Sequence, residues 1–267
     1  MRNIKKAAAG ALVLSASLLL AGCGGDSSDD ATSAASGSGN ESLGTITVFA
    51  AASLVDVLPQ IDQQLSAEYP ETEVNYNFDG SSGLVDQLAG GARADLLLTA
   101  NAKTMTDAED QDLVEASQSF TSNTLVMVVP SGNPGEVTGL DDGSLDGKKL
   151  VVCAEEVPCG SATVQLEEVN DLELSPVSEE QSVTDVLGKV TSGEADAGLV
   201  YTTDAEGAGD AVETIEVPGA DEIVNDYRIA VVKDAENATG GQTFMDLILS
   251  DEGPKVLQDF GFGAPLS

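Results

Sequence analysis

The chain has no histidine among its 267 residues. That absence removes Ser-His-Asp and Cys-His activation of a nucleophile, and with them every His-ligated metal site. Bases are scarce as well: 11 lysines and arginines stand against 46 aspartates and glutamates, for a formal net charge of −35. A polyanion of this kind has no electrostatic footing on nucleic acid, which is excluded as a partner. The acids are scattered rather than blocked, so the charge describes solubility and not a site. No period of 20 to 50 residues repeats, which excludes a solenoid. Cysteine is limited to Cys23, Cys153 and Cys159. With 42% hydrophobic residues over this length, one or two globular domains with real cores are expected.

The N-terminus is a separate matter. Arg2, Lys5 and Lys6 precede an apolar run from Ala7 to Ala21, and Leu20, Ala21 and Gly22 lead into Cys23. Residues 1–22 therefore read as a secretory signal, too short to span a membrane. The small residues before Cys23 resemble the lipobox of bacterial lipoproteins, whose cysteine carries the lipid after cleavage. Residues 23–44 then form the lipidated cysteine and a flexible spacer of Gly, Ser, Asp and Ala with almost nothing to bury. In the oxidising exterior that follows, Cys153 and Cys159 read as a local disulfide ahead of a redox or metal pair, although spacing alone leaves the pairing open.

The mature chain is organised around the stretch 46–56. Ile46, Val48 and Phe49 make a strand, three alanines follow, and Leu54, Val57, Leu58, Ile61, Leu65 and Tyr69 recur at helical spacing. Ser53 sits at the seam. It has two readings: a helix cap with Asp56 as its capping-box partner, or a donor to an anion at the positive end of the helix. The junction repeats along the chain. A strand over 73–78 runs into Ser81 and Ser82 and a short helix marked by Leu84, Val85 and Leu88. A buried strand over 94–100, a helix over 104–114 and a strand over 124–130 follow.

A second round has a strand over 149–154, a turn at 157–160 and a helix over 161–169. A helix over 182–190 starts with Ser182 and Asp185 at capping-box spacing, and a buried strand spans 197–201. A strand over 227–233 returns, and two helical faces close the chain: Phe244, Leu247 and Ile248, then Val256, Leu257 and Phe260. This alternation predicts an α/β protein of parallel-rich sheets flanked by helices, in two lobes joined by two crossings. Lobe I takes residues 45–125 and 227–267, and lobe II residues 126–226. The ligand cleft then lies between the lobes at the carboxyl ends of the strands, where Ser53, Ser81, Cys159 and Val183 all mark helix starts. Arg93, in the Gly-rich turn before a strand and far along from Ser81, and Arg228, on the crossing strand where pairing with the abundant carboxylates suits it better, are assigned no ligand role. The sequon at Asn237 is read as chance.

Four segments together resemble the molybdate-binding proteins of bacterial ABC transporters: residues 48–54, 81–95, 157–160 and 193–204, in the order that family has them. The likeness runs from about Thr45 to Phe262. It implies the two-lobe periplasmic binding protein fold of type II and a tetrahedral oxyanion held by neutral donors. Ser53 and Ser81 would supply hydroxyl and backbone N–H groups from lobe I. Cys159, Val183 and Tyr201 would supply two backbone N–H groups and a phenol from lobe II. Cys159 stands where an alanine is common, and Thr99 where a serine is common; Thr99 is assigned no contact.

The implied function is capture of molybdate, and of tungstate, for delivery to an ABC permease. The protein would be a monomer anchored at the outer face of the membrane through Cys23, with no cofactor, no directly ligated metal cation and no catalysis. Sulfate is the alternative ligand, since it too is a fully charged tetrahedral acceptor. Phosphate, protonated at neutral pH, would want a buried acceptor. An esterase using Ser53 or Ser81 would lack a histidine, or a lysine nearby in sequence, as its base.

Overall fold

Buried apolar runs become the inner strands of two sheets. The structure is a computed structural model describing residues 41–266. The leader, Cys23 and the spacer up to residue 40 lie outside the described residues. In chain order the first part contains β1 (Thr45–Ala51), a 3-10 turn at Ala52–Leu54, α1 (Leu58–Glu68), β2 (Glu73–Asp79), α2 (Ser81–Ala89), β3 (Leu96–Thr99), α3 (Ala102–Asp110) and β4 (Gln118–Asn123). The middle part contains β5 (Leu125–Pro130), β6 (Leu150–Cys153), α4 (Pro158–Asn170), β7 (Ser178–Glu180), α5 (Val183–Thr191), β8 (Ala197–Tyr201), α6 (Thr202–Ala208) and β9 (Val212–Ile215). The last part is β10 (Asn225–Val231), α7 (Ala238–Ile248) and α8 (Gly253–Asp259). No helix among the described residues is long and apolar enough to cross a membrane.

The two five-stranded sheets have the same plan. Their strand orders are β2-β1-β3-β10-β4 and β7-β6-β8-β5-β9. In each, the first three strands are parallel, and the fourth, β10 or β5, pairs antiparallel on both sides. The α/β class expected from the alternation therefore holds, with the antiparallel pairings contributed by the strands that enter next to each crossing. The chain changes sheets at Thr124 and returns between Ile215 and Asn225.

Three local expectations need correction. The helix expected over 104–114 runs only over α3, capped by Asn101, whose side chain accepts the Thr104 N–H at 2.8 Å. It stops because Asp112 turns left-handed (φ 60°), which frees Val114 to bridge Val232. Second, α1 begins four residues beyond Leu54, with Pro59 in its first turn where no backbone donor is needed. Third, β4 had no counterpart in the sequence reading. Three of its four buried residues are polar, and Thr121 and Ser122 donate to the Gly263 and Ala264 carbonyls, 142 residues away.

The second sheet contains one very close approach. A Cβ on Gly160 would lie 1.8 Å from the Ala154 carbonyl oxygen and 2.8 Å from that of Cys153, because the first turn of α4 folds back on the end of β6. The same turn is tied by a disulfide between Cys153 and Cys159. Both contacts lie within one half of the molecule, so Gly160→Ala should lower folding stability by about 2–3 kcal/mol, read as a shift in the urea midpoint. An unchanged midpoint would show that the turn relaxes freely.

Candidate functional site

Each parallel strand delivers its carboxyl end to the same region. β1 leads to Ser53, β2 to Ser81, β6 to Cys159, β7 to Val183 and β8 to Tyr201. All five line one small cavity, together with Asp79, Gly80, Ala100, Val157 and Ser182. None of the five exposes more than 7% of its surface.

The backbone donors follow from helix geometry. The N–H groups of a helix's first turn precede its hydrogen-bond ladder and point outward at the positive end of the dipole. The first ladder bonds of the three helices are Leu84 to Gly80, Ser161 to Val157 and Val186 to Ser182. The amides of Ser81, Cys159 and Val183 precede these bonds, which makes them the donors an anion would meet. Ser182 caps α5 by accepting the Asp185 N–H at 3.2 Å. The reciprocal half of the capping box is altered: the Asp185 carboxylate takes the Ser182 hydroxyl at 2.8 Å.

The hydroxyl donors are held from behind. Ser81 Oγ accepts the Ala100 N–H at 3.0 Å, which leaves its own hydrogen to give. Tyr201 accepts from Asn225 Nδ2 at 3.0 Å. Ser53 is not a cap. It lies inside the 3-10 turn, and its Oγ pairs with the Tyr227 hydroxyl at 2.8 Å. Sequence reasoning missed Asn225, Tyr227, Gly80 and Asp79. Asp79 is engaged by its neighbours, accepting from Gly80 N at 2.8 Å and Gln87 Nε2 at 3.1 Å. Thr99 is buried and gives its hydroxyl to the Asn101 carbonyl at 2.9 Å, outside the cavity lining.

No lysine or arginine lines the cavity. Arg93 pairs with Glu236, and Arg228 binds Asp226 at 3.1 Å and Ser117. Among the described residues no cluster of Cys, Asp and Glu is arranged to hold a metal ion. The chemistry on offer is donation of hydrogen bonds to a desolvated anion, in which each charge-assisted bond is about twice as strong as a neutral one.

A larger, open depression shares Ser53 but is lined by Asp56, Asp204, Glu206 and Asp259, which repel an anion. Asp204 accepts the Tyr201 backbone N–H at 3.1 Å. Burial pushes its carboxyl up to about 7, opposed by that N–H and reinforced by Asp56. The folded state thus holds this proton more tightly than the unfolded chain does. The resulting stability is full below pH 4 and is lost as pH rises toward 7. Asp204→Asn keeps an acceptor without the charge, so its stability relative to the parent should rise between pH 5 and pH 8 by ~3 kcal/mol. Urea unfolding at the two pH values reads this, and parallel profiles would contradict it.

Two sheets of equal plan, exchanging strands and meeting at a cavity of helix N-termini, define a two-lobe solute-binding protein. The chain belongs to the family described as bacterial extracellular solute-binding protein, which matches residues 46–263. The molybdate-binding protein ModA of Mycobacterium tuberculosis strain H37Rv is 40% identical to it over 222 residues, covering 83% of this chain and 85% of that protein. ModA of Haemophilus influenzae is 32% identical over 232 residues, covering 82% and 90%. The periplasmic molybdate-binding protein of Azotobacter vinelandii superposes with a TM-score of 0.72 at 18% identity, over 83% of this chain and all of that one.

Proposed function

We propose that this protein captures molybdate, and tungstate with it, in the cavity of Ser53, Ser81, Cys159, Val183 and Tyr201, and passes the ion to an ABC permease without chemistry on it. The observation that carries this reading is the convergence of five strand-to-helix junctions, from both sheets, on one buried cavity without a base. The relatives are named for molybdate, and the donor set suits a dianion that needs no acceptor. Closure supplies the signal. Ser82 Oγ donates across to the Glu156 carbonyl at 2.5 Å, and Gly80 rests on Gln181, so an anion bridging both halves favours the arrangement in which they touch. The family's extracellular description supports a place outside the cell membrane, and the small residues before Cys23, after the leader 1–22, support a lipid anchor there.

Thermal unfolding of the mature, oxidised protein tests the reading. Molybdate at about 1,000 times its dissociation constant should add about 4 kcal/mol, a shift of several degrees at constant ionic strength. A midpoint that does not move would remove the binding function.

A further inference from the structure

Asn225 and Tyr227 are two residues apart on β10, so their side chains leave the same face of the strand. Each holds one of the two hydroxyls that come from different sheets: Tyr227 holds Ser53 and Asn225 holds Tyr201. Tyr227 is completely buried. Its ring is fixed edge-on by Phe120, Tyr201 and Phe262, with centroids 5.7 to 6.2 Å away. Asn225 is anchored as well, its amide also donating to the Ala100 carbonyl at 2.9 Å.

The donor directions follow from the partner that each hydroxyl has. Either oxygen can donate in the bond between Tyr227 and Ser53, and with the phenol as donor the serine's own hydrogen is left for the cavity. The Asn225 amide has only hydrogens to offer Tyr201, so that phenol is likewise kept as a donor.

We propose that Tyr227 and Asn225 are positioning residues of the ligand site: from one strand they set the hydroxyls of Ser53 and Tyr201, one from each half, as donors toward the bound oxyanion. This rests on the assignment of Ser53 and Tyr201 as ligand groups. It adds that β10, one of the strands at the crossing between sheets, registers the two donors against each other.

Two double-mutant cycles test it by calorimetric titration with sodium molybdate on the mature, oxidised protein. Tyr227→Phe should weaken binding about tenfold in the parent and less than about twofold in a Ser53→Ala background. Asn225→Leu should behave in the same way toward Tyr201→Phe. A residue with only a structural role would weaken binding equally in both backgrounds, and that result overturns the proposal. If Ser53→Ala and Tyr201→Phe leave the affinity unchanged, the ligand assignment itself fails, which is a different outcome. Unfolding midpoints without molybdate establish that each variant is folded. If Tyr227→Phe is not, the Asn225 cycle decides alone.

Discussion

Gly80→Val is expected to raise the dissociation constant for molybdate by about a hundredfold or more while leaving stability without molybdate within about 1 kcal/mol of the parent. The backbone of Gly80 is ordinary, at φ −59° and ψ 135°, so its own half accepts a side chain there without strain. What forbids a side chain is the other half. A Cβ would lie 2.0 Å from the Gln181 carbonyl oxygen, 3.2 Å from its carbonyl carbon and 3.6 Å from a Val157 methyl. Gly160 is the internal control, because its clash is with its own half and falls on folding. Titration and thermal unfolding of the two variants should therefore separate, one losing affinity and the other stability. A Gly80→Val protein that binds like the parent would show that the halves need not meet at this point.

Removing both serine hydroxyls should do more. Ser53→Ala with Ser81→Ala deletes two charge-assisted donors at a buried site, each contributing about 1.5–3 kcal/mol. The dissociation constant should rise about a thousandfold. Ser81 has a second task, since its Oγ accepts the Ala100 N–H, so its removal also leaves a buried donor unpaired. Stability without ligand should fall by about 1–2 kcal/mol as well. Titration reads the first effect and urea unfolding the second. An affinity loss of less than about tenfold would place the ion on the backbone amides alone.

The sequence was legible where burial is symmetrical. β3 and β8 are covered on both faces, so they read as unbroken apolar runs, and the helix starts after parallel strands followed from that. Ser53, Ser81, Cys159 and Val183 stood out as helix starts at the carboxyl ends of strands, and Tyr201 came from the family resemblance alone. The hidden parts depend on distance along the chain. Ser53 and Tyr227 are 174 residues apart, and a serine before a helical pattern carries the signature of a cap whichever partner it takes. β4 was hidden for the same reason: its buried polar groups are satisfied by carbonyls near the C-terminus, which erases the alternation that marks a strand. Asn225 offered no local signal, since three of its acceptors, on Ala100, Pro158 and Tyr201, belong to three other segments.

A site whose free groups are oriented N–H and O–H donors, and whose one carboxylate, Asp79, is engaged by Gly80 and Gln87, should bind a fully deprotonated tetrahedral dianion and reject one that must donate a proton. Calorimetric titration of the mature, oxidised protein with molybdate, tungstate, sulfate and hydrogen phosphate, in one buffer at constant high ionic strength, measures this directly. The expected result is one-to-one binding of molybdate and tungstate, with sulfate weaker by at least about a hundredfold and no heat from phosphate. Sulfate binding as tightly as molybdate would contradict the assigned ligand, and phosphate binding with comparable affinity would contradict the neutral-donor site itself.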